Sequence, residues 1–197
     1  MVAEMSRRPE SRPSENTKRP DDSADRAERV RRLAGEGARL LSARRAGEAA
    51  VLLAQVRALD PGNVPAAINL GGAYILENKF AHAVPVLESA ALVEPENAMI
   101  WSNLAAAYLG KLPLADRAHQ DKAIEAYKRA LTIDPYTPHV QYNLGLIYLE
   151  RKDPALAVAH FRLALETDPH DRDAQLYLNK LSRPDGSTND QSQTCES

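Results

Sequence analysis

Cysteine is almost missing from this chain: one thiol in 197 residues, Cys195, leaves nothing for an intramolecular disulfide or a cysteine-built zinc site. Aromatics are scarce as well, at 5% with a single Trp and two Phe, and Ala and Leu dominate the apolar set. That balance disfavours sheets built from Val, Ile, Tyr and Phe and points to close-packed helices. No apolar run approaches the roughly 20 residues needed to cross a bilayer. The opening Met-Val-Ala-Glu-Met runs into Arg, Pro and Ser without the apolar core of an export signal. Membrane insertion and export by that route are therefore not expected, and with the lone thiol a cytoplasmic location is. A strong charge of one sign is lacking too. The formal net charge of −2 offers no electrostatic footprint for nucleic acid.

What is present is a hydrophobic share of 44%, enough to bury a core, so an all-α chain is expected. Residues 1–26 mix both charges with Pro, Ser and Asn, and 184–197 have the same character behind Pro184; both read as disordered tails that cannot offset the entropy of ordering. The body spans 27–183. Within it Asp60-Pro61, Glu94-Pro95, Asp134-Pro135 and Asp168-Pro169 recur at separations of 34, 40 and 34 residues. Each Pro follows an Ala-rich amphipathic stretch such as 123–133, where it ends one helix before the next begins. Alignment on these prolines superposes Leu70-Gly71, Leu104-Ala105 and Leu144-Gly145, then Tyr74, Tyr108 and Tyr148. In the second helix of each unit Ala49, Ala83, Ala123 and Ala157 each stand four residues before Leu53, Leu87, Tyr127 and Phe161.

Trp-x2-Leu-Gly-x2-Tyr, Ala-x3-Phe and Pro at a period of 34 is the tetratricopeptide pattern, which this chain resembles most closely at Trp101-Ser-Asn-Leu104-Ala-Ala-Ala-Tyr108. The resemblance implies a right-handed superhelical solenoid of four helix-turn-helix repeats, 30–63, 64–97, 98–137 and 138–171, plus a C-terminal capping helix over 172–183. The small residue after each Leu lets paired helices approach closely. Two units depart from the pattern. The first has Glu36 where Leu is expected, making its first helix the element expected to fray. The third carries six extra residues around 110–121, and Pro113 is placed to open a lengthened second helix running from about Leu114 to Thr132.

In a stack of this family the first helices of successive units line a concave groove. The resemblance puts Asn69, Asn103 and Asn143 there as a ladder of amides able to donate to and accept from a peptide backbone. Similar ladders hold extended peptides in the repeat region of the O-linked N-acetylglucosamine transferase. Ile68, Ile75, Met99, Leu109, Tyr142, Leu146 and Leu149 fall on the same face, more apolar surface than a monomer normally exposes. The implied role is a non-catalytic adaptor binding an extended or helical segment of another protein, with no cofactor. A groove filled by a second copy, making a homo-oligomeric structural subunit, is the alternative.

The family's chaperone-binding subclass uses fixed positive charges on this face. Met99, Asn103, His139 and Asn143 stand at the corresponding positions and do not supply them. His139, Tyr142, Glu150 and His170 match no nucleophile, metal or phosphate motif, and His82, His119 and His160 lack partners at metal-ligand spacing. Arg26, Arg29, Arg31, Arg32, Arg39, Arg44 and Arg45 make the first hairpin locally basic, but Glu28, Glu36 and Glu48 dilute the cluster into a solvated face.

Overall fold

A computed structural model describes residues 22–182. Among them all regular structure is helical: α1 Asp22–Ser42, α2 Ala46–Leu59, α3 Val64–Leu76, α4 Phe80–Val93, α5 Ala98–Leu109, a 3-10 turn Leu112–Leu114, α6 Arg117–Ile133, α7 Val140–Glu150, α8 Pro154–Thr167 and α9 Arg172–Leu181. Consecutive helices pair as four hairpins, and α9 packs on the last. The architecture is an all-α superhelical stack of helical hairpins. Of the expected tails, 1–21 and 184–197 with Cys195 lie outside the described residues, whereas 22–26 belong to α1. No helix among the described residues is long and apolar enough to cross a membrane.

Local chemistry sets most helix boundaries. Helices α3, α5 and α9 each follow an acidic-Pro turn, and a side chain three residues after the acid caps them. Asn63 accepts from Ala66 N, Asn97 from Met99 N, and Asp171 from Asp173 N and Ala174 N. Three of the four hairpins then turn on one residue with left-handed backbone, Arg44 at φ 59°, Asn78 at 57° and Lys152 at 61°. In each the following amide reaches back to the last helical turn, as Arg45 N to Leu40 O, Lys79 N to Tyr74 O and Asp153 N to Tyr148 O. That arrangement satisfies carbonyls that a helix end would otherwise orphan. In the fourth unit Thr137 stands where Asn63 and Asn97 cap, but its hydroxyl donates to Asp134 O at 2.7 Å instead. Helix α7 accordingly starts only at Val140, behind His139 at φ 62°.

Within hairpins the fit is set by missing side-chain volume. A Cβ on Gly71 would lie 2.6 Å from the Leu87 side chain, one on Gly145 2.6 Å from Phe161, and one on Gly37 2.7 Å from Leu53. The facing Ala49, Ala83, Ala123 and Ala157 are all fully buried. Between hairpins, Ala66, Leu70 and Ala73 of α3 join the core of α1 and α2, Ile100, Leu104 and Ala107 of α5 pack on α4, and Val140, Leu144 and Ile147 of α7 pack with α6.

The equivalent positions on α1 are Arg32, Glu36 and Arg39, and Arg39 is ion-paired with Glu36 at 2.6 Å on the surface. The expectation of fraying is thus corrected: α1 is 21 residues long, held by Leu33, Gly37 and Leu40 on its other face. Glu36 departs from the pattern because it faces solvent rather than a preceding unit. At the opposite end Gln175 and Asn179 of α9 stand where Ala67 and Gly71 receive a second helix, and they bond to each other at 3.1 Å. Solvated end faces are what a one-dimensional stack requires.

The insertion also differs from expectation. Pro113 does not open a lengthened helix; it sits in the 3-10 turn, and α6 begins at Arg117 with Asp116 as its cap, accepting from His119 N at 2.8 Å. Gly110 at φ 59° starts this detour. Three of the six extra residues lengthen α6 to 17 residues against 14 for α2, α4 and α8, and the rest form the turn.

Candidate functional site

Asn69, Asn103 and Asn143 occupy one repeat position on α3, α5 and α7, and all three are half-buried. They are not equivalent. Among the described residues the side chains of Asn69 and Asn103 have no hydrogen-bond partner, whereas the Asn143 amide interacts with the phenol of Tyr127. Burial pushes the Tyr127 hydroxyl well above the ordinary phenol range, and the interaction with Asn143 works against that shift. Asn143 is thereby engaged with a side chain at the heart of the third hairpin. Two amides one repeat apart remain available to an external backbone, each with donor and acceptor capacity. Beside them the surface is shallow, since a Cβ on Gly72 would meet nothing within 4 Å.

The apolar residues expected around the ladder are mostly not open surface. Ile68 packs on the cluster of Ala90 and Ile100, and Ile75 on that of Leu104 and Ala107. Leu109 packs with Ile124, Tyr127 and Leu144. Tyr142, Leu146 and Leu149 pack on Phe161 and Ala174, with the Tyr142 ring 5.8 Å from Phe161 and 6.2 Å from Tyr177 of α9. Only Met99, at 44% exposure, projects. The expectation of an extensive exposed apolar face is therefore corrected. The edge of each first helix that borders the groove is also the edge that meets the next unit, and α9 covers part of α7 in the same way.

A small cleft of about 360 Å³ lies between the start of α7 and the turn before α9, lined by Tyr136, His139, Tyr142, Asp168 and Asp171 among others. Both carboxylates already accept backbone amides, Asp168 from His170 N and Asp171 from the first turn of α9. The Tyr142 hydroxyl is raised by burial and then by Tyr177, Asp173 and Asp171. Of the residues considered for catalysis, His139 and Tyr142 line this cleft and Glu150 and His170 do not.

Sequence reasoning missed the network that anchors the insertion. Gln120, 6% exposed, donates to Ala115 O at 3.0 Å and accepts from Arg151 Nε at 2.9 Å, while Arg151 also pairs with Asp121 at 2.5 Å. The one available signal was a Gln on the face of α6 that carries Ala123 and Tyr127, and the insertion hides it by breaking the repeat register.

Sequence models described as tetratricopeptide repeat match residues 40–108 and 138–171, and one described as TPR repeat matches 119–152. A member of the BBSome complex, BBS4 from Xenopus tropicalis, is 34% identical over 84 residues, 43% of this chain and 15% of that protein. The peroxisomal targeting signal receptor of Candida albicans is 27% identical over 79 residues, 40% of this chain and 12% of the receptor. The chain thus matches less than a fifth of the length of either relative. Among solved structures, TTC0263, a thermophilic TPR protein of Thermus thermophilus, superposes with a TM-score of 0.67 at 18% identity, covering 77% of this chain and 80% of that one. MamA from Desulfovibrio magneticus RS-1 superposes with a TM-score of 0.61 at 24% identity, covering 73% and 77%. These two likenesses concern the fold.

Proposed function

We propose, from the premise that this chain belongs to the tetratricopeptide-repeat family, that it is a protein-interaction scaffold that performs no catalysis and holds a segment of another protein across α3, α5 and α7. The observation that carries this reading is the pair Asn69 and Asn103: half-buried amides at one repeat position with no partner among the described residues. Amides so placed can fix a partner's backbone at about 1 kcal/mol net per hydrogen bond. Met99 supplies an exposed apolar contact beside them, with Ile68 and Ile75 behind. Asn143, Leu109, Tyr142, Leu146 and Leu149 contribute to the same surface mainly by shaping it, since their side chains are committed to Tyr127, to α6 or to α8 and α9. One relative is named as a member of a complex and another as a receptor for a targeting signal, and both descriptions agree with a scaffold.

Self-association is the second reading. Stacking end to end would bury the charged Arg32, Glu36 and Arg39 against the neutral Gln175 and Asn179, desolvating charges with no counter-charge across the contact. A scaffold for a different protein is favoured for that reason. The test is the double substitution Asn69→Ala with Asn103→Ala, compared with Asn143→Ala. A partner isolated with the intact chain should be lost from the double variant at unchanged helicity and melting temperature. Full retention of that partner would sink the reading.

A further inference from the structure

The six-residue insertion builds a recess that meets the amide face only at Leu109. It is a cleft of about 710 Å³ with α4 on one side and the 3-10 turn and α6 on the other; none of Asn69, Asn103 and Asn143 lines it. Phe80, Val84 and Pro85 give it an apolar wall, and Leu114 projects from the opposite rim at 81% exposure. That exposure is not looseness. Leu112, two residues earlier, packs with the core cluster of α5, α6 and α7, and Ala115, one residue later, is held through its carbonyl by the buried Gln120. Gly110 begins the detour at φ 59°, against the Phe80 ring, which a Cβ there would approach to 3.5 Å. Leu114 is thus fixed between two anchors, and its amide closes the turn by donating to Lys111 O at 2.8 Å while its side chain projects.

The charges around the recess are unbalanced. Lys111 and Lys122 both line it, and among the described residues neither has a carboxylate partner; Lys122 lies 5.8 Å from the centre of the Tyr108 ring. The one lining carboxylate, Glu88, already accepts from the Tyr108 phenol at 2.8 Å, and burial together with this bond raises that phenol to about 12. His119 is tied to Asp116 at 2.7 Å. On the α4 wall, Pro85 has no amide to give the Ala81 carbonyl, so an acceptor on this wall lacks its helical donor.

We propose that this recess docks an acidic segment of a partner protein: one bulky apolar side chain covers Leu114, Val84 and Phe80, and a neighbouring Asp or Glu meets Lys111 and Lys122. Rigid apolar anchors beside two lysines that outnumber the one lining carboxylate combine affinity with selectivity for negative charge. The site meets the amide face only at Leu109, whose side chain is committed to α6, so the chain can hold two segments at once.

The test selects phage-displayed random dodecapeptides on the full-length chain. Selected peptides should pair Asp or Glu with Leu, Ile, Phe or Met. Their affinity should fall at least about tenfold in Leu114→Glu and again in Lys122→Glu, and weaken with added salt. Affinity should be unchanged in Asn69→Ala with Asn103→Ala, which separates this site from the proposed groove. Replacing the peptide's carboxylate by Lys should restore binding to Lys122→Glu. Both variants change exposed side chains, and matching thermal melts verify folding. The proposal is overturned by selected peptides that lack the acidic and apolar pairing, by binding that survives both substitutions, or by no enrichment at all. It is overturned too if the full-length chain is an oligomer that Leu114→Glu dissociates, for then a second copy fills the recess.

Discussion

The second and third hairpins solve one packing problem in two ways. In the second, α3 and α4 meet at a bare glycine, with Leu87 filling the space a Cβ on Gly71 would need, and one left-handed residue, Asn78, reverses the chain. In the third, Ala105 replaces the glycine and Tyr127 replaces the leucine, so the cavity is filled by a larger ring whose hydroxyl must be satisfied. Asn143 of the next unit interacts with it. The turn is replaced by a detour that Gln120 and Arg151 pin to the end of α7. A repeat whose own helices fit tightly can stop at its boundary; one with a buried hydroxyl and an insertion borrows polar partners from its neighbour, and its stability is coupled to that neighbour.

Removing the ring breaks the comparison most severely. Tyr127→Ala should cost about 3–5 kcal/mol, and because the ring joins the third and fourth units the loss should appear in denaturant melts as one transition rather than a separate early phase. Gly71→Leu should cost about 1–3 kcal/mol by overpacking Leu87. The reverse exchange in the third hairpin, Ala105→Gly, should cost only about 0.5–1 kcal/mol; equal losses from the two would refute the assigned difference. Gln120→Ala frees the Ala115 carbonyl and leaves Arg151 Nε without its acceptor, costing about 1 kcal/mol. Its signature is local: amide exchange should accelerate over 111–116 while α3 and α4 are unaffected. The smallest effect is stabilising. Lys152→Gly relieves a left-handed backbone in a regular turn and should add about 0.5–1 kcal/mol, whereas no such substitution exists in the third hairpin, where Gly110 is already glycine.

Much of the fold was legible because short-range rules govern it. Acidic-Pro turns and small residues at fixed spacing each act over a few residues, so the hairpins could be located from the chain alone. Glu36 misleads because its position specifies Leu only where a preceding unit packs, and a sequence does not mark which face of an end helix meets water. Pro113 misleads for a related reason: proline suits the opening of an α-helix and a 3-10 turn equally, and the decision belonged to Leu112, which packs in the core, and to Asp116 and Gln120, which bond the backbone at His119 N and Ala115 O.

The candidate site divides in the same way. Repeat register places Asn69, Asn103 and Asn143 at one position, and that is a property of the sequence. Their difference is tertiary: Tyr127 lies 16 residues from Asn143 along the chain and claims its amide only once α6 and α7 pack. Ile68, Ile75 and Tyr142 likewise read as exposed until the next unit covers them. The recess beneath Leu114 has no periodic signal, because it arises from the one segment that interrupts the period. Sequence by itself determined the repeat, its caps and its close-packed pairs, all set by steric and hydrogen-bonding rules within a single hairpin. The tertiary structure alone decided which polar groups remain unpartnered and which apolar ones remain in water, since that depends on what each neighbouring unit takes away.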